Sequence, residues 1–74
     1  MKDVYVLTTH VMNGTVTIMT RSACFMSEEL AKEVGDAIDE ANKKNGVSTF
    51  NTIEATTVYE SRDEVPILKE VVNE

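Results

Sequence analysis

The chain has 74 residues, a hydrophobic fraction of 42%, a charged fraction of 27% and a formal net charge of −6 from 13 acids and 7 bases. That size excludes more than one domain (residues 1–74), and no apolar run approaches the ~18 residues that mark a membrane-spanning helix. The acidic balance argues against direct nucleic-acid binding, which depends on Lys and Arg neutralising phosphates, and the seven bases are scattered from Lys2 to Lys69.

A domain this small has little core and usually needs a disulfide, a metal or self-association as reinforcement. Cys24 is the only cysteine and His10 the only histidine, so neither an intramolecular disulfide nor a Cys/His zinc site is available. Self-association is the reinforcement left. The N-terminus Met1-Lys2-Asp3-Val4 runs straight into strand-like sequence without a secretory pattern. With a lone cysteine, the expectation is a protein of the reducing cytoplasm.

The first elements are two strands, Val4 to Met12 and Thr15 to Ala23, both rich in β-branched residues and separated by Asn13-Gly14. Asn-Gly predicts a type I′ hairpin, with Met12 opposite Thr15, Val11 opposite Val16, and Thr9 opposite Ile18. In that register one face carries Tyr5, Leu7, Thr9, Val11, Val16 and Ile18. The other carries Val4, Val6, Thr8, His10, Met19 and Ala23. Both faces are partly apolar, and one helix covers only one of them.

The helix is "SEELAKEVGDAIDEANKKNG". Ser27 is its N-cap, Glu28 and Glu29 sit in the positive first turn, and Lys43 and Lys44 suit the negative last turn. Asn45-Gly46 supplies the stop. Leu30, Val34, Ala37, Ile38 and Ala41 recur at helical spacing as the expected packing stripe. Gly35 marks either a close approach or an ordinary exposed glycine.

A third strand follows in "VSTFNTIEATTVYES", where Ile53, Ala55, Thr57 and Tyr59 alternate with polar neighbours. Phe50 is out of phase with Ile53, which predicts an irregular entry. In the tail, Ser61 and Glu64 are spaced like a capping box, but a helix started by Asp63 places Pro66 safely in its first turn. Val65, Leu68 and Val72 then share a face. A short helix over 65–72 is expected, with a strand through Pro66-Ile67-Leu68 as the alternative. The fold class is α+β, a two-layer ββαβα sandwich: a three-stranded antiparallel sheet, one long helix on one face, and a short C-terminal helix.

Few residues offer chemistry. His10 suits acid–base work near neutrality, but Asp3 is the only acid in the hairpin and lies at its far end, so no catalytic set forms. Cys24 precedes the helix, with no second cysteine and with Ala23 and Phe25 beside it, so a buried structural thiol is expected. Asp36 and Glu40 are spaced i, i+4, but the Asp-x-Asp-x-Asp-Gly ligand pattern of a calcium loop is missing. No glycine-rich phosphate loop, nucleophile elbow or stacking platform is present. These readings argue against an enzyme, leaving one built on His10 or Cys24 as a third class, and predict no metal and no cofactor.

The stretches "VYVLTT", Gly14, "CFMSEELAKEVGDAIDEAN" and "FNTIEATTVYE" resemble a group of small bacterial and phage ββαβ proteins without an agreed activity. The likeness spans most of Val4 to Glu60, and it implies a cytoplasmic accessory protein of a phage or mobile element that acts by contact.

The function expected from the residues is a non-enzymatic, acidic interaction or regulatory module that forms a homodimer. Val4, Tyr5, Val6 and Leu7, with Val11, Val16, Ile18 and Met19, are the candidates for self-association. Glu33, Asp36 and Glu40 are the candidates for contact with an unidentified protein, as phosphate-like charges entering a basic groove. The alternative is a small-molecule sensor whose pocket forms between subunits, lined by His10, Tyr5 and threonines.

Overall fold

The structure, a computed structural model, describes residues 2–66. Its elements are β1 (Lys2–Asn13), β2 (Val16–Phe25), α1 (Glu28–Lys44), β3 (Ser48–Val58) and a 3₁₀ turn at Arg62–Glu64. The sheet has three strands in the order β2-β1-β3, and both neighbouring pairs are antiparallel. The α+β expectation of a three-stranded antiparallel sheet with one long helix on it holds.

The central position of β1 explains much of its composition. A strand flanked on both sides is the most enclosed, and β1 supplies the buried Val4, Leu7 and Thr9. Leu7 points at α1, so by alternation Val4 lies on the far face. The two apolar faces of the N-terminal strand therefore belong in part to the middle of the sheet.

The hairpin departs from the expected register. Asn13 pairs with Val16, Met12 with Thr17 and Val11 with Met19, leaving Ile18 as the extra residue of a bulge. The turn is Gly14-Thr15. Gly14 alone is left-handed, at φ 64°, and Asn13 has no positive φ. A left-handed glycine in the first central position is the type II′ pattern, whereas type I′ needs positive φ at both. The bulge then shifts the rest of β2. Met19 and Ala23, expected on the far face, join Tyr5, Leu7, Thr9 and Val11 on the helix face, while Cys24 takes the far face.

The helix starts and stops where its caps predict. Ser27 Oγ accepts the Leu30 N–H at 3.1 Å. Its end is a Schellman motif: Val47 N–H donates to Asn42 O at 2.8 Å and Gly46 N–H to Lys43 O at 3.1 Å, with Gly46 at φ 73°. Its packing stripe differs from the expected one. Ala31 and Gly35 are its buried residues, Val34 and Ile38 are half-buried, and Leu30 is 44% exposed. Ala37 and Ala41 also face outward. The smallest side chains let α1 sit close to the sheet, and a side chain as large as Leu30 would hold it off.

β3 pairs with β1 without a break from Lys2–Val58 to Met12–Ser48. The irregularity expected at Phe50 is absent: Phe50 belongs to the far face opposite His10, and Ile53 belongs to the helix face opposite Leu7. The strand ends at Val58, short of Tyr59. Beyond it, Glu64 reaches back to accept the Glu60 N–H at 3.3 Å, one residue earlier than a Ser61 capping box requires. Among the described residues the C-terminal segment shows a 3₁₀ turn at Arg62–Glu64 and a helical Pro66, and residues 67–72 of the expected helix lie outside them.

Candidate functional site

A polar clamp joins the helix to the sheet. Thr9 Oγ1 on β1 donates to Asn51 Oδ1 on β3 at 2.6 Å, and Asn51 Nδ2 donates to Gly35 O on α1 at 3.0 Å. One side chain thus ties three elements together. Further along, Thr49 Oγ1 donates to Asp39 Oδ1 at 2.7 Å. Both bonds from the helix go to β3, so α1 leans toward that side of the sheet. On the β2 side this leaves a groove between strand and helix, floored by Arg21 and Ala23 and walled by Val34 and Ile38.

The far face carries His10 stacked on Phe50, with ring centroids 4.3 Å apart and planes 6° from parallel. Beside them the Thr8 and Ser22 hydroxyls meet at 3.0 Å, and Thr17 Oγ1 donates to Met12 Sδ at 3.2 Å. The hydroxyls bond across strands. His10 meets an aromatic ring, and among the described residues no side-chain hydrogen bond to a nucleophile or an acid is shown for it. Cys24, expected to be buried, is exposed. Among the described residues no group of three or more His, Cys, Asp or Glu is placed to hold a metal ion.

The eight candidate self-association residues divide sharply. Val4 and Leu7 are buried in the subunit, Leu7 at 2% exposure, and Tyr5, Val6 and Val11 are half-buried. Val16, Ile18 and Met19 on β2 are exposed, Ile18 at 62%. Met26, Leu30 and Phe50 are exposed too, Phe50 on the far face against His10. Periodicity placed Leu30 in the core and left Met26 in a linker, so sequence reasoning missed both. Their signal lies in the packing, because a helix seated on Ala31 and Gly35 turns Leu30 outward.

Glu33, Asp36 and Glu40 are all exposed and recur at i, i+3 and i+7 on the side of α1 away from its packing stripe. Asp39 is set apart from them, half-buried and engaged by Thr49. Lys32 forms an exposed i, i+4 pair with Glu28 at 3.0 Å, of a type worth only a few tenths of a kcal/mol. No helix among the described residues is long and apolar enough to cross a membrane. Comparison with protein-family models, curated proteins and solved structures finds no match to this chain.

Proposed function

We propose that this chain is a non-enzymatic interaction module that acts as a homodimer. One observation carries the reading: among the described residues the buried apolar set is Val4, Leu7 and Ala31, with no large side chain fully enclosed, while Val16, Ile18, Met19 and Met26 stand exposed. A core this small needs reinforcement, and a second copy that covers the exposed apolar residues supplies it.

The acidic stripe Glu33, Asp36 and Glu40 gives such a dimer a second surface, suited by charge to a basic groove on another protein. An exposed free thiol at Cys24 suits a reducing cytoplasm. A role as an accessory protein of a phage or mobile element rests on strand and helix patterning alone.

When folding and association are coupled, the melting temperature depends on protein concentration. The thermal midpoint, followed by circular dichroism, is therefore expected to rise by several degrees between low and high micromolar concentration. A midpoint independent of concentration over that range would remove the homodimer reading.

A further inference from the structure

We propose that the outer edge of β2 pairs with β2 of a second copy, antiparallel, about a two-fold axis that passes at Ser22. The inference deepens the homodimer reading and rests on it; what it adds is the surface and the register. Among the described residues β2 has β1 as its only strand neighbour, and every β2 residue except Phe25 is exposed. An edge strand of this length presents a row of backbone donors and acceptors to any strand that fits, and proteins usually guard such edges with charge, proline or a bulge. Here the guards are one charge and the bulge at Ile18, which lies toward the turn end of the strand. The strand "VTIMTRSACF" contains no proline, none of the chain's 13 acids and one base, Arg21.

The two edges of the sheet are not equivalent. β3 carries Glu54 at mid-strand and is tied to α1 through Thr49 and Asn51. A second β3 would set carboxylates near one another. The β2 edge carries no carboxylate, although the chain as a whole is at −6. It is also the side from which α1 leans away, leaving the groove of Ala23, Val34 and Ile38 uncovered within the subunit.

Symmetry then limits the register. A two-fold axis between antiparallel strands runs perpendicular to the sheet. It keeps both helices on one face and sets one residue opposite its own copy. A centre at Thr20 draws the Ile18 bulge into the pairing, and a centre at Arg21 opposes two guanidinium groups. A centre at Ser22 uses the regular stretch Met19–Phe25. It pairs Met19 with Phe25, Arg21 with Ala23 and Thr20 with Cys24, and brings Ile18 alongside the second copy's Met26. Ile18, Met19 and Met26 are among the most exposed large hydrophobic residues of the subunit.

Cysteine cross-linking and charge tests separate the possibilities. In a Cys24→Ser background, Ser22→Cys is expected to give a covalent dimer on mild oxidation, because directly opposed strand residues lie within disulfide range. Thr52→Cys is the control: it flanks Thr8 at the same level as Ser22 but on the β3 edge. It is expected to stay uncoupled, and equal or preferential linking at position 52 overturns the proposal. Thr20→Cys with native Cys24 should also link, and linking through position 20 in the Cys24→Ser background, without Cys24, overturns the register.

Without cross-links, Ala23→Arg should weaken dimerisation at least tenfold by facing Arg21, while Ala23→Glu should preserve it. Net charge alone predicts the opposite order, since the glutamate adds to an already acidic chain. A reversed order, with the fold intact by circular dichroism, overturns the proposal. A wild-type monomer would remove the homodimer reading and this proposal together. A wild-type dimer that fails to link at position 22 removes only the β2 geometry.

Discussion

Replacing Asn51 with Ala is expected to cost about 3 kcal/mol of unfolding free energy, from two lost hydrogen bonds and the polar groups left behind. Thr9, 8% exposed, loses its acceptor, and the carbonyl of the buried Gly35 loses the second donor it takes beyond the helix ladder. A domain of this length has a total stability of roughly 4–11 kcal/mol, so a large fraction disappears. Asn51→Asp separates the two halves of the clamp. It keeps an acceptor for Thr9 but sets a carboxylate against the Gly35 carbonyl, so it should be at least as damaging as alanine. Urea titration followed by circular dichroism measures both. In a double-mutant cycle, Thr9→Val and Asn51→Ala should couple by about 1 kcal/mol or more, because each removes the other's partner. Additive costs would mean that the 2.6 Å contact contributes little.

Gly35 supplies the second large effect. A Cβ built there would lie 3.3 Å from both Asn51 Nδ2 and Leu7 Cδ1. Gly35→Ala sets this tight contact against a helix-propensity gain of about 1 kcal/mol, and should leave stability within about 1 kcal/mol of the natural chain. Gly35→Leu has no such balance. Its side chain extends toward Leu7 and Asn51, lifts α1 from the sheet and breaks the bond from Asn51 to the Gly35 carbonyl. A loss of about 3 kcal/mol, the upper end for overpacking, is expected in the same titration. A leucine variant as stable as the alanine variant would show that α1 does not depend on this close approach.

These two residues also mark where legibility in the sequence ended. The order of the three strands and the long helix, the helix limits and its caps were readable, because Ser27, Lys43, Lys44 and Gly46 act through local backbone groups. The hairpin was readable as a hairpin, but its register was not. Asn13-Gly14 signals a turn without stating which two residues occupy its centre. The Ile18 bulge then displaced every following residue of β2, moving Met19 and Ala23 to the helix face and Cys24 to the far face. A period-2 pattern has no tolerance for one inserted residue.

The helix stripe failed for a different reason. Hydrophobic periodicity finds the large apolar residues, whereas this helix docks through Ala31 and Gly35 and is held by a polar side chain from β3. Asn51 has no sequence signal that separates it from any other strand asparagine; its role emerges only once β3 lies beside β1 and under α1. The candidate surface was half legible. Val16, Ile18 and Met19 were legible as apolar residues, but only the strand order β2-β1-β3 places them on an edge strand. The acidic stripe was fully legible, since Glu33, Asp36 and Glu40 share a helix face by spacing alone.

Self-association of a subunit that leaves Val16, Ile18, Met19 and Met26 exposed is the property on which the proposed function turns. Sedimentation equilibrium of the unmodified chain at micromolar concentration, under reducing conditions, tests this most directly. The expected result is a reversible species of twice the 8.2 kDa chain mass. A single species at the chain mass throughout the micromolar range would contradict the account.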